Sequence, residues 1–182
     1  MKHYDKLIFV CKSNTSVSPM AEAIMQHTFM LEDILIESRG LVVLFPEPVN
    51  PKSEAIMASH GLTMKNHTSR ALTADDFDER TLILAMDDGL RQSILDDFKE
   101  ALNVWSLPEY IGSTQELTDP YGGTLADYGR CYEQLKEMTD RLAAQLKKED
   151  MPEPGASLKK EPEEAGEPET DEMPDPEAPA QD

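Results

Sequence analysis

A cysteine stands at the end of the first apolar run of the chain, and a polar loop follows it. Residues 7–10 are continuously apolar, which is typical of a strand buried on both faces, and Cys11 comes directly after them. Ser18 and Pro19 then predict the start of a helix, with Ser18 as its N-cap. A loop that leads from a strand into a helix presents backbone N–H groups and the positive helix end, so it can bind an anion. A thiolate below a bound phosphate is an in-line nucleophile.

The position of Cys11 alone does not decide between two roles. A free cysteine at a strand end often packs as a small hydrophobic side chain. In the functional interpretation, Ser18 donates its hydroxyl to the Cys11 thiolate, and the loop between them binds phosphate. The residues around the cysteine favour the functional interpretation.

The segment of residues 10–22 reads V-C-K-S-N-T-S-V-S-P-M-A-E. It resembles the phosphate loop V-C-x-G-N-x-C-R-S-P-M-A-E of low-molecular-weight protein tyrosine phosphatases. Residues 38–40 (S-R-G) stand where that family has S-A-G, and residues 67–72 (H-T-S-R-A-L) are similar to its H-x-A-R-x-L segment. Residues 119–121 (D-P-Y) look like its D-P-F/Y motif. The resemblance covers about residues 5–148, with the motifs in the same order.

The resemblance implies a role for each matching residue, and it implies no cofactor and no metal. Cys11 attacks phosphorus and forms a phosphocysteine, and Asp119 protonates the leaving atom before it activates water. Tyr121 lines the pocket, and Asn14 holds a strained turn of the loop against Ser38. Without the resemblance, an aspartate before proline would be only a turn residue. The phosphate-binding residues implied are Lys12, Ser13, Asn14, Thr15, Ser16, Val17 and Ser18.

Three loop positions depart from the family pattern. Ser13 replaces a glycine, Ser16 replaces the second cysteine and so excludes a disulfide within the loop, and Val17 replaces the arginine. That arginine binds two phosphoryl oxygens through its planar fork. Loss of a comparable charged group costs a phosphoryl-transfer site on the order of 10³–10⁵ in rate.

Two further loop residues bear on the missing arginine and on the substrate. Arg39 follows Ser38 beside the phosphate loop, and we hypothesise that it reaches the phosphate from the side; the alternative is a solvated arginine. Thr15 stands where bacterial relatives that prefer phosphoarginine carry threonine, and the D-P-Y-G-G sequence also resembles that branch.

The elements that must position these residues alternate between strands and helices. Apolar runs predict strands at residues 7–10, 34–36, 81–86 and 103–107, with residues 38–40 closing the second. Helical spacing predicts helices from residue 18, from residue 51 to a stop at Gly61, over residues 90–102, and over residues 125–146. We therefore expect an α/β fold: a three-layer, doubly wound, four-stranded parallel sheet in the flavodoxin-like order 2-1-3-4 with about five helices.

Charge divides the chain into two parts. Residues 149–182 carry 13 acidic residues, two lysines and seven of the 13 prolines, and therefore eleven of the net charge of −19. We predict a phosphatase-like domain at residues 1–148 and a disordered acidic tail at residues 149–182. The remaining −8 of the domain argues against nucleic-acid binding, and no apolar stretch suits a signal region or a membrane span. With two cysteines far apart in sequence, we expect a cytoplasmic monomer.

The sequence therefore predicts a low-molecular-weight protein phosphatase of reduced activity, acting on a phosphorylated protein or a small phosphomonoester. The alternative is a pseudophosphatase that binds a phosphorylated side chain without turnover. A phosphate-carrier domain on the same fold and a thiol-dependent arsenate reductase are two further alternatives. The D-P-Y-G-G motif argues against the carrier. The reductase needs additional cysteines, and Cys131 on the last helix is expected to be an ordinary buried thiol.

Overall fold

The computed structural model describes residues 3–28 and 33–150, in which strands and helices alternate. A 3-10 turn at Ala74–Asp76 precedes the third strand. The elements in chain order are β1 (Lys6–Cys11), α1 (Val17–Thr28), β2 (Leu35–Gly40), α2 (Pro51–Ser59), β3 (Thr81–Ala85), α3 (Asp88–Asp97), β4 (Val104–Ser106), α4 (Leu107–Tyr110) and α5 (Leu125–Asp150).

The four strands form one parallel sheet in the order β2-β1-β3-β4. The predicted strand order, parallel pairing and five helices are therefore confirmed. Strand β1 lies between β2 and β3, and its last residue, Cys11, pairs with Gly40 at the carboxyl edge of the sheet. This position brings the loop after β1 beside the loops that leave both neighbouring strands.

Both faces of the sheet are covered, which explains the continuous apolar runs. Leu7 and Phe9 of β1 point to one face, where they join a core built with α1, α2 and α5. Ile8 and Val10 point to the other face, where they join a smaller core with Ile94 of α3. The two cores hold β1 in place from both faces, and they thereby fix the position of Cys11 at its end.

Strand β2 is longer than the apolar pattern predicted. Residues 38–40, expected to close the strand, instead continue it and pair with Phe9, Val10 and Cys11. Polar residues are tolerated there because their side chains have partners: Ser38 binds Asn14, and the Arg39 guanidinium binds Glu37. The apolar pattern missed the end of β2 because a buried polar residue is stabilised by partners that are distant in sequence.

Helix boundaries also differ from the sequence prediction at three places. Helix α1 begins at Val17, one residue before the predicted cap, and the Ser18 hydroxyl faces Cys11 rather than capping the helix. Helix α3 ends at Asp97, because Phe98 takes an extended conformation and packs against Phe77. The four-residue helix α4, capped by Ser106, directly follows β4 where the sequence suggested continued strand.

The prediction of a disordered tail falls mostly outside the described residues. Its first two residues, 149 and 150, form the end of α5, and residues 151–182 are not among those described. Within residues 3–28 and 33–150, every helix is too short or too polar to cross a lipid bilayer.

Gly40 provides a stability test of the contact between β2 and the loop after β1. A Cβ at Gly40 would lie 2.5 Å from Val43 Cγ2 and 2.9 Å from the backbone carbon of Ser13. We expect Gly40→Ala to lower the free energy of unfolding by about 1–3 kcal/mol, measured by urea denaturation. The control is Gly129→Ala in α5, where the nearest atom is 3.7 Å away and alanine should stabilise the helix by up to about 1 kcal/mol. Equal midpoints for Gly40→Ala and wild type would contradict the packing described here.

Candidate active site

The Cys11 thiol lies at the bottom of the loop between β1 and α1 and is 9% exposed. Its Sγ is 2.8 Å from Ser18 Oγ and accepts a hydrogen bond of 3.2 Å from the backbone N–H of Asn14. Both neighbours are completely buried. These contacts hold the sulfur at one point below the loop.

Asn14 holds the loop in its curved conformation. It is fully buried and has a φ of 57°, a left-handed conformation that asparagine adopts more readily than most residues. Its Nδ2 donates to Ser18 Oγ at 3.0 Å and to Ser38 Oγ at 2.9 Å, and its Oδ1 accepts from the Arg70 N–H at 2.9 Å. The contact with Ser38 expected from the resemblance is therefore present, and one side chain joins α1, β2 and the segment before β3.

Glu22 and His67 extend this network, although the sequence suggested no role for either. His67 Nε2 lies 2.9 Å from the Asn14 carbonyl, and because a carbonyl only accepts, Nε2 carries the proton. Glu22 Oε2 accepts from the Ser38 hydroxyl and lies 3.9 Å from His67 Nδ1. Both residues belong to sequence motifs that resemble the family, and this resemblance was the only hint of their role in the sequence.

The loop leaves backbone donors open to a ligand. Among the hydrogen bonds of residues 3–28 and 33–150, none uses the backbone N–H groups of Ser13, Thr15 or Ser16. The loop carbonyls, in contrast, are bound from outside: Cys11 O accepts from Leu41 N at 2.9 Å, and Thr15 O accepts from Asn50 N at 2.7 Å. The loop is thus anchored through its acceptors, while its donors remain available to an anion.

Cys11 opens into a cleft of about 540 Å³ that Asp119 also lines. Asp119 Oδ1 accepts a hydrogen bond of 3.0 Å from the Tyr121 N–H, which fixes the turn that carries the carboxylate. Val17 lies on the cleft wall and is 4% exposed. The cleft therefore brings together Cys11, Asp119 and Val17, which lie up to 108 positions apart in sequence.

The charged side chains of this cleft are mostly acidic. Asp87, Asp96 and Asp97 line it together with Asp119, whereas Lys12 is the cation among the lining residues. None of the four carboxylates has an ion-pair partner in the part of the chain that the structure describes. The charge along the lining of this cleft is therefore mostly negative.

Tyr121 and Cys131 line an adjoining cavity of about 400 Å³ that shares Asp119 with the cleft. The Tyr121 side chain is 88% exposed, so it stands at the rim and not within the Cys11 cleft. Burial raises the pKa of the Cys131 thiol to about 12, and the nearby charges of Asp119 and Cys11 add to the effect. Cys131 therefore stays a protonated thiol at neutral pH and is no second nucleophile, as its sequence context predicted.

Arg39 does not have the environment that either sequence hypothesis assigned to it. It is 8% exposed and therefore not solvated, and its guanidinium binds Glu37 Oε2 at 2.9 Å and Asp76 Oδ1 at 3.3 Å. Its NH1 also donates to the Ser38 carbonyl at 2.9 Å. A guanidinium held by two carboxylates is already paired, which argues against the hypothesis that Arg39 reaches the phosphate.

Asn14 allows its conformation and its hydrogen bonds to be tested separately. Asn14→Gly keeps the left-handed turn accessible and removes only the side-chain hydrogen bonds, whereas Asn14→Ala loses both. We expect Asn14→Gly to lower the free energy of unfolding by about 2–4 kcal/mol and Asn14→Ala by roughly 1 kcal/mol more. Thermal or urea unfolding measures both values. An alanine variant as stable as the glycine variant would show that the turn stores no conformational cost.

Glu37 should make the stability depend on pH. Burial acts to raise the pKa of its carboxyl, but Arg39, aided by Lys6 and Arg70, holds that pKa below its ordinary value of 4.5. The stabilisation by a lowered carboxyl pKa is fully present above that ordinary value and is lost as the pH falls through the folded-state pKa.

We expect Glu37→Gln to cost about 1–3 kcal/mol at pH 7, and the difference from wild type to shrink as the pH falls below about 4.5. Urea denaturation at pH 7, 5 and 3.5 measures this difference. The control is Asp5→Asn, which breaks an exposed pair with Arg80 and should cost less than about 1 kcal/mol. A Glu37→Gln cost that stays constant with pH would contradict the assignment.

Comparison with known proteins gives the same assignment as the motifs. Residues 6–151 match the family model described as low molecular weight phosphotyrosine protein phosphatase. A low molecular weight protein-tyrosine-phosphatase, PtpB, of Staphylococcus haemolyticus is 32% identical over 141 residues, covering 75% of this chain and 96% of the relative. A protein-arginine-phosphatase of Bacillus subtilis is 35% identical over 150 residues, covering 79% and 97%.

The fold comparison agrees with this assignment. The solved structure of the YwlE arginine phosphatase from Geobacillus stearothermophilus superposes with a TM-score of 0.73 at 27% identity, covering 79% of this chain and 94% of that one. The family model spans the whole α/β domain with its Cys11 loop and Asp119 turn. The chain therefore belongs to the low molecular weight phosphotyrosine protein phosphatase family.

Proposed function

We propose that this protein hydrolyses a phosphorylated protein side chain through a phosphocysteine at Cys11, at a rate reduced by Val17. The observation that carries the proposal is the arrangement at Cys11. A buried sulfur is fixed by Asn14 and Ser18 under open backbone donors, and Asp119 lines the same cleft. A structural strand-end thiol would need neither the donors nor the carboxylate.

The reaction takes two steps. The Cys11 thiolate attacks phosphorus, an S–P bond forms, and the bond from phosphorus to the leaving oxygen or nitrogen breaks as Asp119 gives that atom its proton. Asp119, now a carboxylate, takes a proton from a water molecule whose oxygen attacks phosphorus. The S–P bond breaks, inorganic phosphate leaves, and the thiolate and the protonated Asp119 are restored.

Val17 weakens the stabilisation of the phosphoryl group during its transfer to and from Cys11. The free N–H groups of Ser13, Thr15 and Ser16 can bind phosphoryl oxygens. The isopropyl side chain of Val17 offers these oxygens neither a hydrogen-bond donor nor a charge. Arg39 is committed to Glu37 and Asp76 and cannot compensate. We therefore expect activity well below that of a loop with arginine, by roughly 10³–10⁵ in rate.

The acidic cleft favours phosphoarginine over phosphotyrosine as the substrate. Cleavage of a P–N bond releases a guanidine that takes up the proton and becomes cationic, and carboxylates stabilise that charge as it develops. A phenol acquires no positive charge and would gain nothing from Asp87, Asp96 or Asp97. The relatives include a tyrosine phosphatase and an arginine phosphatase. Thr15 is the loop residue that suggested the arginine phosphatases, and its hydroxyl lies 2.8 Å from Ser13 Oγ.

The loss of the arginine also supports a second function, a pseudophosphatase that binds a phosphorylated side chain without turnover. The loop keeps its open donors and its anchoring, which suffice for binding, while the group that stabilises the transferring phosphoryl is absent. Under either function we place the protein in the cytoplasm, where the thiol of Cys11 stays reduced, and we expect it to act as a monomer on phosphorylated proteins.

Turnover by four proteins separates the two functions: wild type, Cys11→Ser, Val17→Arg and the double variant Cys11→Ser/Val17→Arg. We expect wild type to hydrolyse phosphoarginine slowly, Val17→Arg to be at least about 100-fold faster, and both serine variants to be inactive. Release of inorganic phosphate from phosphoarginine and from an aryl phosphate measures turnover, and mass spectrometry of quenched samples detects the phosphocysteine.

Each of the other outcomes indicates a different function for this protein. A wild type without turnover that gains it on Val17→Arg is a pseudophosphatase. No turnover in either protein, with a stable phosphocysteine, indicates a phosphate carrier. Faster hydrolysis of the aryl phosphate than of phosphoarginine would overturn the substrate assignment.

A further inference from the structure

A second polar cavity lies behind the phosphate loop, between α1 and the segment before β3. It measures about 350 Å³ and lies apart from the cleft of Cys11, with which it shares no lining residue. Its walls come from residues 19–26 of α1 and from residues 63–70. Nothing in the proposed reaction uses this cavity.

The cavity lining is polar and carries two cations and one carboxylate. Lys65 and Arg70 bring positive charge to it, and Asn66 and Thr68 add polar side chains. Glu22 is the carboxylate of the lining, and both of its oxygens are occupied: Oε1 accepts from Gln26 at 3.2 Å, and Oε2 accepts from Ser38.

The cations of the cavity are only weakly neutralised. The Lys65 ammonium has no ion-pair partner within the described residues, and the half-exposed Arg70 meets Glu37 at 3.5 Å. Lys65 and Arg70 therefore present charged donors to solvent in a domain whose overall charge is strongly negative. A donor-rich, cationic cavity of this size suits an acceptor-rich oxyanion.

The same cavity is connected directly to the phosphate loop. His67 lines it and bonds the Asn14 carbonyl at 2.9 Å, and the Arg70 N–H bonds Asn14 Oδ1 at 2.9 Å. Pro19 and Glu22, in the first turns of α1, form the opposite wall. A ligand that bridges these walls touches the groups that hold Asn14 in its left-handed turn.

We propose that this cavity is a second, regulatory site that binds a small polyvalent oxyanion through Lys65 and Arg70. Because His67 and Arg70 also bind Asn14, the bound oxyanion is coupled to the loop that faces Cys11. The ligand class comprises di- and polyphosphates, free or attached to a metabolite. Neither the binding nor its test requires turnover at Cys11, so failure of the proposed function leaves this proposal intact.

The test uses inorganic pyrophosphate and the full chain with Cys11 alkylated by iodoacetamide, which blocks the catalytic loop. Titration is followed in ¹⁵N-labelled protein by amide chemical shifts. We expect saturable shifts at Asn66, His67 and Arg70, accompanied by Asn14. We expect Lys65→Ala/Arg70→Ala to weaken binding about tenfold or more. The charge-matched control Lys99→Ala/Lys136→Ala, at two positions outside the cavity lining, should stay within about twofold.

Two results would overturn the proposal. The first is equal pyrophosphate affinity for wild type and Lys65→Ala/Arg70→Ala, which would show general attraction to surface cations. The second is a set of shifts centred on residues 12–18 without residues 66–70, which would show binding at the catalytic loop. Binding at residues 66–70 without a shift at Asn14 would confirm the site and refute its coupling to the loop.

Discussion

The loop between β1 and α1 depends on the hydrogen bonds of one buried residue, Asn14. The loop between β1 and α1 has two demands at Asn14: a left-handed backbone conformation, and contacts that hold this conformation outside any helix or strand. Asn14 meets both demands, because its amide bonds Ser18, Ser38 and Arg70 N–H while its backbone bonds Cys11 Sγ. Asn14 thus fixes the loop around Cys11, and His67 and Arg70 connect it to the lining of the second cavity.

Electrostatics divides the surroundings of the loop into two unlike regions. In front, four aspartates that have no ion-pair partner among residues 3–28 and 33–150 line the Cys11 cleft; behind, Lys65 and Arg70 line the second cavity. With arginine at position 17, the front would carry a cation beside the phosphoryl, and the carboxylates would be partly balanced. Valine brings no such charge, and we propose that the carboxylates therefore favour a leaving group that becomes cationic.

The buried Arg39 shows why a cation beside a phosphate site is not necessarily part of it. Its guanidinium is enclosed by Glu37 and Asp76 and joins β2 to the 3-10 turn at Ala74–Asp76. Removing Arg39 would leave Asp76 without this ion pair and Glu37 with only the longer contacts to Lys6 and Arg70. Arg39 thus stabilises the fold at the place where sequence proximity suggested catalysis.

The sequence by itself determined the fold class, the strand order and the position of the loop. Continuous apolar runs identify strands buried on both faces, and the motifs around Cys11 and Asp119 are local patterns that survive without knowledge of the fold. The replacement of a loop arginine by Val17 stays a prediction from the sequence motif. Tertiary structure alone decided the fate of Arg39, the contribution of Glu22 and His67, the acidic lining of the cleft and the existence of the second cavity. Each of these depends on which side chains from distant segments meet, because burial, ion pairing and hydrogen bonding are properties of pairs that linear spacing does not contain.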